Sequence, residues 1–312
     1  KIGDYKKIKI KRPKIEIKDE QVEKVLDDLR KMRAKETLVK REAKKGDRVI
    51  IDIDMFLNKV PLEGGQSKGA TIILGDSYFI PELDKKILGM KEGETREFNL
   101  QYKDDFYDKK IAGKLVGFKV KLNSVYQIEL PELNDEFAKN LGHFKDLSNL
   151  KEQIKNNLET EEKMKNEQRL ELEMLEKIVS ITEFDEIPDA LIEKEVEKMV
   201  FELKDSVERQ GLKYIDYLTQ LKKSEQDLRK DFTQPAKKRV KTALIIREIG
   251  LQEKVNASEE EIEQEINNIL RMYPNNEEMK KQVATPNYRI YLNNLIINKK
   301  TIDLLKEQII EE

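Results

Sequence analysis

The chain has 312 residues, with 60 lysines and arginines against 62 aspartates and glutamates and a formal net charge of −2. That balance excludes nucleic-acid binding by bulk basicity, the lack of cysteine excludes disulfides, zinc–thiolate sites and thiol nucleophiles, and a single histidine, His143, leaves a multi-histidine metal centre or a Ser-His-Asp triad without parts. With 39% charged residues and a mean hydropathy of −0.72, the sequence predicts two or three domains and an elongated molecule with much exposed helix.

Residues 1–45 read as a connector leading out of something that precedes residue 1. The alternation from Tyr5 to Lys11 predicts a strand with one buried face. Asp19 is the expected N-cap of a helix whose stripe is Val22, Val25, Leu26, Leu29 and Met32. Residues 46–130 hold most of the glycines and are strand-rich. Arg48–Asp54 and Phe118–Tyr126 alternate, and a short helix after Pro81 is closed by Gly89. This predicts a small antiparallel α+β domain. Residues 131–312 predict helix nearly throughout. The expected helix starts are Asn134, Ser148, Pro188, Ser224, Ser258 (a capping box with Glu261) and Thr285-Pro286. At Pro235 the pattern predicts a kink or break.

The helix from Ser148 carries one apolar stripe at its start (Leu150, Ile154, Leu158) and another at its end (Leu172, Leu175, Ile178, Val179). Between them only Met164 is apolar. A coiled coil needs unbroken a and d positions, so the pattern predicts a strut or arm that buries its two ends in different places.

Three signatures combine in order. The first is Leu62-Glu63-Gly64-Gly65. The second is Phe79-Ile80-Pro81-Glu82-Leu83-Asp84 with Gly89-Met90-Lys91-Glu92-Gly93-Glu94. The third is Ile111-Ala112-Gly113-Lys114, Phe118 and Leu130-Pro131-Glu132-Leu133-Asn134-Asp135-Glu136-Phe137. The first two resemble an FKBP-type prolyl isomerase. The third, with the helical region after it, resembles bacterial trigger factor, a family of ribosome-associated chaperones, and the resemblance covers essentially the whole chain. It implies an FKBP-like sheet domain, with residues 1–45 as a linker and 46–130 as the isomerase-like head. Residues 131–312 would be an elongated all-α chaperone domain with arms that cradle unfolded or nascent polypeptides in the cytoplasm. It also implies ribosome docking through an N-terminal domain. The Phe-Arg-x-Gly-x-x-Pro signature of that domain is not found, and residue 1 falls about where the domain would have ended, so the chain reads as the family without it.

FKBP-type catalysis works by shape and desolvation. It twists an X–Pro amide whose uncatalysed barrier is ~18–20 kcal/mol, with no nucleophile, cofactor or metal. By similarity the pocket is Ile53, Leu62, Glu63, Ile80, Leu83, Phe106 and Phe118. The family usually has aromatic rings at Ile53, Leu62 and Leu83, a glycine at Glu82, and often a tyrosine hydroxyl at Phe106. Losing a hydrogen bond costs roughly 1 kcal/mol and losing a stacking partner ~0.5–1.5 kcal/mol. Each ~1.4 kcal/mol lost from the transition state is about tenfold in rate. An isomerase weakened by roughly 10²-fold or more is therefore expected. The same positions would also serve as plain core, and Glu63 with Gly64-Gly65 as a plain turn.

Holding unfolded chains needs dispersed apolar surface rimmed by charge, for which methionine is suited. The candidates are Met164, Met174, Met199, Phe201, Met272 and Tyr273, each of which could equally be packed between helices. No phosphate-binding loop is present, so no energy source is expected. Charge runs such as Lys237–Lys241 read as solvated faces, with no direct nucleic-acid partner, and His143 as a surface loop residue. No run of 18 apolar residues offers a membrane span. The alternative is a true prolyl isomerase whose helices only recruit substrate. A transcript-cleavage factor also pairs helices with an FKBP-like domain, but its coiled coil comes first.

Overall fold

The computed structural model describes residues 1–75, 82–106 and 108–311. The elements in chain order are β1 (Ile10–Lys11), α1 (Asp19–Met32), β2 (Lys35–Leu38), β3 (Arg48–Leu57), β4 (Val60–Ile73), α2 (Leu83–Ile87), β5 (Thr95–Gln101), β6 (Leu115–Glu129), α3 (Asp135–Leu141), α4 (Leu147–Ser180), α5 (Asp189–Arg209), α6 (Tyr214–Leu221), α7 (Glu225–Gln252), α8 (Glu259–Met272), α9 (Glu277–Val283), α10 (Pro286–Ile309) and β7 (Ile310–Glu311). Ile17–Leu158 form one compact unit, and Lys1–Glu16 with Glu159–Glu312 form the other, so the division falls inside α4 and residues 17–45 go with the sheet.

The sheet unit is antiparallel, with strand order β2-β6-β3-β4 and β5 also on β6. The alternation of β3 buries Val49, Ile51 and Ile53, as a half-buried strand should. The facing positions of β6 are Val125, Leu122 and Val120. A register shift between Ile50 and Ile51 leaves Asn123 without an opposite residue, and its amide donates to Asp52 at 2.8 Å. Leu83 and Ile87 of α2 pack into the same core. Asp47 is buried and satisfied: Arg41 donates to both its oxygens at 2.6 and 2.9 Å, and the Lys44 N–H donates at 2.8 Å. At α1 the N-cap is Lys18 and not Asp19, because Gln21 reaches back to accept the Lys18 N–H at 2.9 Å. Asp19 becomes the first helical residue, where its charge suits the helix dipole. The Asn134 cap of α3 forms as expected, accepting the Phe137 N–H at 2.9 Å.

In the helical unit, Leu170, Met174 and Ile178 of α4 pack with Ile245 and Ile249 of α7 and Leu305 and Ile309 of α10. A second cluster joins Ile192, Val196 and Val200 of α5 to Ala236 of α7, and a third joins Ile262 and Ile266 of α8, Val283 of α9 and Leu292 of α10. The capping boxes at Ser224 and Ser258 form. The strand expected over Tyr5–Lys11 does not form as such. Tyr5–Lys7 is a 3-10 turn whose Tyr5 hydroxyl donates to Glu253 at 2.7 Å, and only Ile10 and Lys11 pair, in parallel, with Ile310 and Glu311. An alternating run needs a partner along its length, and here two residues of β7 are all it meets. No break occurs at Pro235, where α7 runs from Glu225 to Gln252. Proline forfeits one ladder bond, and burial of Leu228, Ala236 and Val240 on either side holds the helix together.

Candidate functional site

The sequence places its pocket residues on several elements, and the sheet unit gathers most of them into one apolar cluster. Ile53, Leu83 and Phe118 are buried in it, while Leu62 and Phe106, partly buried, pack against it. Phe118 stacks on Phe98 across the β5–β6 pair, with centroids 5.7 Å apart, and Phe106 meets Tyr102 edge-on at 4.6 Å. Both geometries are favourable for aromatic pairs. Ile80 lies outside the described residues. Glu63 is exposed and points no charge into the cluster. Beside it, Gly64 has φ +76°, and a Cβ on Gly65 would lie 2.8 Å from the Met55 Cβ, so the glycine pair forms no turn but a bulge of β4, at the register shift between Asp54 and Phe56 where the strand closely approaches β3. Glu82, standing where the family has glycine, keeps the left-handed backbone at φ 63°. A non-glycine residue there is strained.

The cluster is apolar apart from the Tyr102 hydroxyl. Sequence reasoning missed Met55 and Phe98, which pack against the cluster from the strands facing Phe118. Their signal was available, because both continue the two-residue alternation of β3 and β5. A cavity of about 610 Å³ is lined by Phe98 and Phe118 of the cluster together with Phe56, Asn99, Gly117 and Lys119, so it adjoins the cluster at the β5–β6 pair and is partly polar.

On the helical unit the six candidates divide. Met164 (61%), Phe201 (69%), Met272 (65%) and Tyr273 (49%) are exposed. Met199 is half-buried against the α5–α7 cluster. Met174 is fully enclosed between α4, α7 and α10, so it is core and offers no surface, because its stripe with Leu170 and Ile178 is the face α4 turns to α7 and α10. Sequence reasoning missed Ile215, Ile290 and Tyr291, which are exposed as well. Charges flank these side chains. Lys165, next to Met164, pairs with Glu161 at 2.7 Å, and Arg289, next to Ile290, joins Glu259 and Glu263 at 2.6 Å each. Among the described residues no helix is long and apolar enough to cross a membrane, and no group of three or more acidic or histidine side chains could hold a metal ion.

An antiparallel sheet unit with one apolar cluster, joined in one chain to a helical unit with scattered exposed apolar side chains, fits a protein-folding factor of the chaperone class. Residues 39–130 match the family model of the FKBP-type peptidyl-prolyl cis-trans isomerases, and residues 146–307 that of the bacterial trigger factor C-terminus. The chain is 33% identical over 310 residues to the trigger factor of Caldicellulosiruptor saccharolyticus, covering 98% of this chain and 70% of that protein. It is 34% identical over 308 residues to that of Carboxydothermus hydrogenoformans, covering 98% and 71%. A solved structure from work on promiscuous substrate recognition by the trigger factor chaperone aligns at 24% identity with a TM-score of 0.48, over 98% of this chain and 72% of that one. The chain belongs to the trigger factor family: it is a molecular chaperone with an FKBP-type domain.

Proposed function

We propose that this chain holds unfolded and nascent polypeptides through many weak apolar contacts, without an energy source, and that its FKBP-type domain is a slow prolyl isomerase. The observation that carries the first part is the spacing of Met164, Phe201 and Met272 along three separate helices, with Tyr273 next to Met272, each exposed among charges. Such surface grips a long chain at several points while remaining too small at any one point to aggregate. Residues 46–130 act as the isomerase-like head and 131–312 as the holding body, with 1–45 as linker. The partners are unfolded polypeptides met beside the ribosome in the cytoplasm, with neither nucleic acid nor membrane engaged directly. Aggregation of a denatured client, followed by light scattering, should be delayed by equimolar protein. Unchanged scattering would refute the holding role.

The second part rests on aliphatic side chains at Ile53, Leu62 and Leu83 and on Phe106, which lacks a hydroxyl for the substrate carbonyl. A protease-coupled proline-peptide assay should give a rate about 10²-fold below a ring-lined member of the family. One observation favours the rival reading, an efficient isomerase with recruiting helices: Ile53, Leu83 and Phe118 do share one cluster, with Leu62 and Phe106 packed against it. Client protection that survives Leu62→Glu argues for the holdase, and protection lost with it argues for the rival.

A further inference from the structure

The helical unit contains a groove of about 850 Å³ between α5, α7 and α10. Its floor is apolar, with Leu191 from α5, Val240, Leu244 and Leu251 from α7, and Ile297 from α10. The floor is set by a close helix approach: Gly250 is buried, and a Cβ there would lie 2.9 Å from the Thr301 Oγ1 of α10. Leu191, Leu244 and Leu251 are nonetheless open to solvent, at 43%, 36% and 65% exposure.

The rim is cationic. Lys194, Lys198 and Arg247 line the groove, and Glu195 is the one carboxylate among the lining residues. Glu195 is already engaged by Arg239 at 3.4 Å, and Lys198 reaches only its own helix neighbour Glu202 at 3.9 Å. Among the described residues Lys194 and Arg247 have no carboxylate partner, and the side-chain amides of Asn294 and Asn298, also lining the groove, make no hydrogen bond. Three cations against one carboxylate over an apolar floor give the groove a direct chemical complement, in a chain whose 60 cations and 62 anions nearly balance.

We infer that this groove selects extended client segments in which apolar residues alternate with carboxylates, the apolar side chains entering the floor, the carboxylates meeting Lys194, Lys198 and Arg247, and the free backbone amides of the segment meeting Asn294 and Asn298. The inference deepens the holding role proposed above and rests on it. Alternation suits the site because an extended segment turns successive side chains to opposite sides, so one side faces the floor while the other reaches the rim.

The test uses the full chain and three fluorescently labelled unstructured peptides with identical apolar residues and either glutamate, glutamine or lysine between them. By anisotropy at low salt, the glutamate peptide should bind about tenfold more tightly than the lysine peptide, because each exposed pair adds a few-fold at most. The preference should shrink several-fold at about 0.5 M salt. The Lys194→Glu/Lys198→Glu/Arg247→Glu variant should abolish or invert it. The same charge change at Lys24, Lys109 and Lys145, exposed cations of the sheet unit, should leave it intact, with circular dichroism confirming that both variants fold. Equal affinity for all three peptides, or a preference that survives in the groove variant, overturns the inference. If a denatured client is still protected in that case, the holding role stands without charge selection. If no client is protected at all, the holding role falls with it.

Discussion

The sheet itself gathers sixteen buried side chains into one cluster around Phe118, with Leu26, Phe137 and Leu150 of the flanking helices buried apart from it, whereas the helical unit divides its buried side chains among smaller groups, nine around Met174, four around Ala236 and four around Ile266. The helical unit also leaves Met164, Phe201, Ile215 and Met272 largely in solvent. A sheet turns alternate residues to one face, so its apolar residues converge on one core. Long helices turn residues to all sides, so the parts not packed against a neighbour keep apolar side chains outside. The first arrangement gives a unit with one dense core, and the second gives a unit with apolar side chains scattered over its surface. The division of labour in a folding factor follows from that difference.

The largest effect expected is on the concentrated core. Phe118→Ala removes a fully buried ring and its stacking on Phe98, and should destabilise the sheet unit by about 3–5 kcal/mol, read by hydrogen exchange of the β3 and β6 amides. If the helical amides lost protection equally, the two units would not be independent and the comparison would break. Met174→Ala should cost the helical unit about 2–5 kcal/mol, read at the α7 and α10 amides. A loss below about 0.5 kcal/mol would mean that Met174 is surface after all.

Acid should weaken the sheet unit through Asp47. Burial pushes its carboxyl upward, but the two Arg41 bonds and the Lys44 N–H outweigh that and hold it below the ordinary carboxylate range. A depressed folded value gives stability that is fully present above the unfolded value, about 4, and lost as pH falls through the folded one. Urea midpoints of the sheet unit should therefore drop below about pH 4, and Asp47→Asn should lower the midpoint at neutral pH while flattening that acid limb. An acid limb unchanged in the variant would assign it to other carboxylates. The smallest stability change is expected from Met164→Ala, Phe201→Ala and Met272→Ala combined, each within about 0.5 kcal/mol. Client protection should nevertheless fall several-fold, which is the sharpest form of the contrast: core residues that set stability against surface residues that set function.

Much of this was legible because it is local. The alternation of Val49, Ile51 and Ile53, the Asn134, Ser224, Ser258 and Thr285 caps, and the turn glycines follow from side-chain period and short-range hydrogen bonds. The pocket was partly legible through motif spacing, though Met55 and Phe98 joined it only through strand register. Local signals misled where a long-range partner decided. Tyr5 bonds Glu253, and Ile10 pairs Ile310, so an apparent strand became a turn and a two-residue parallel bridge.

By itself the sequence determined where helices and strands begin, which residues of each share a face, and that charge would cover most of the chain, since these depend on neighbours a few positions away. Only the tertiary structure decided which faces are covered. Met164 stands alone in a charged stretch of α4 while Met174 lies in the stripe of Leu170 and Ile178, and it is the arrival of α7 and α10 that encloses that stripe and leaves Met164 exposed. Burial is a property of the partner that arrives, and that partner comes from residues far away along the chain.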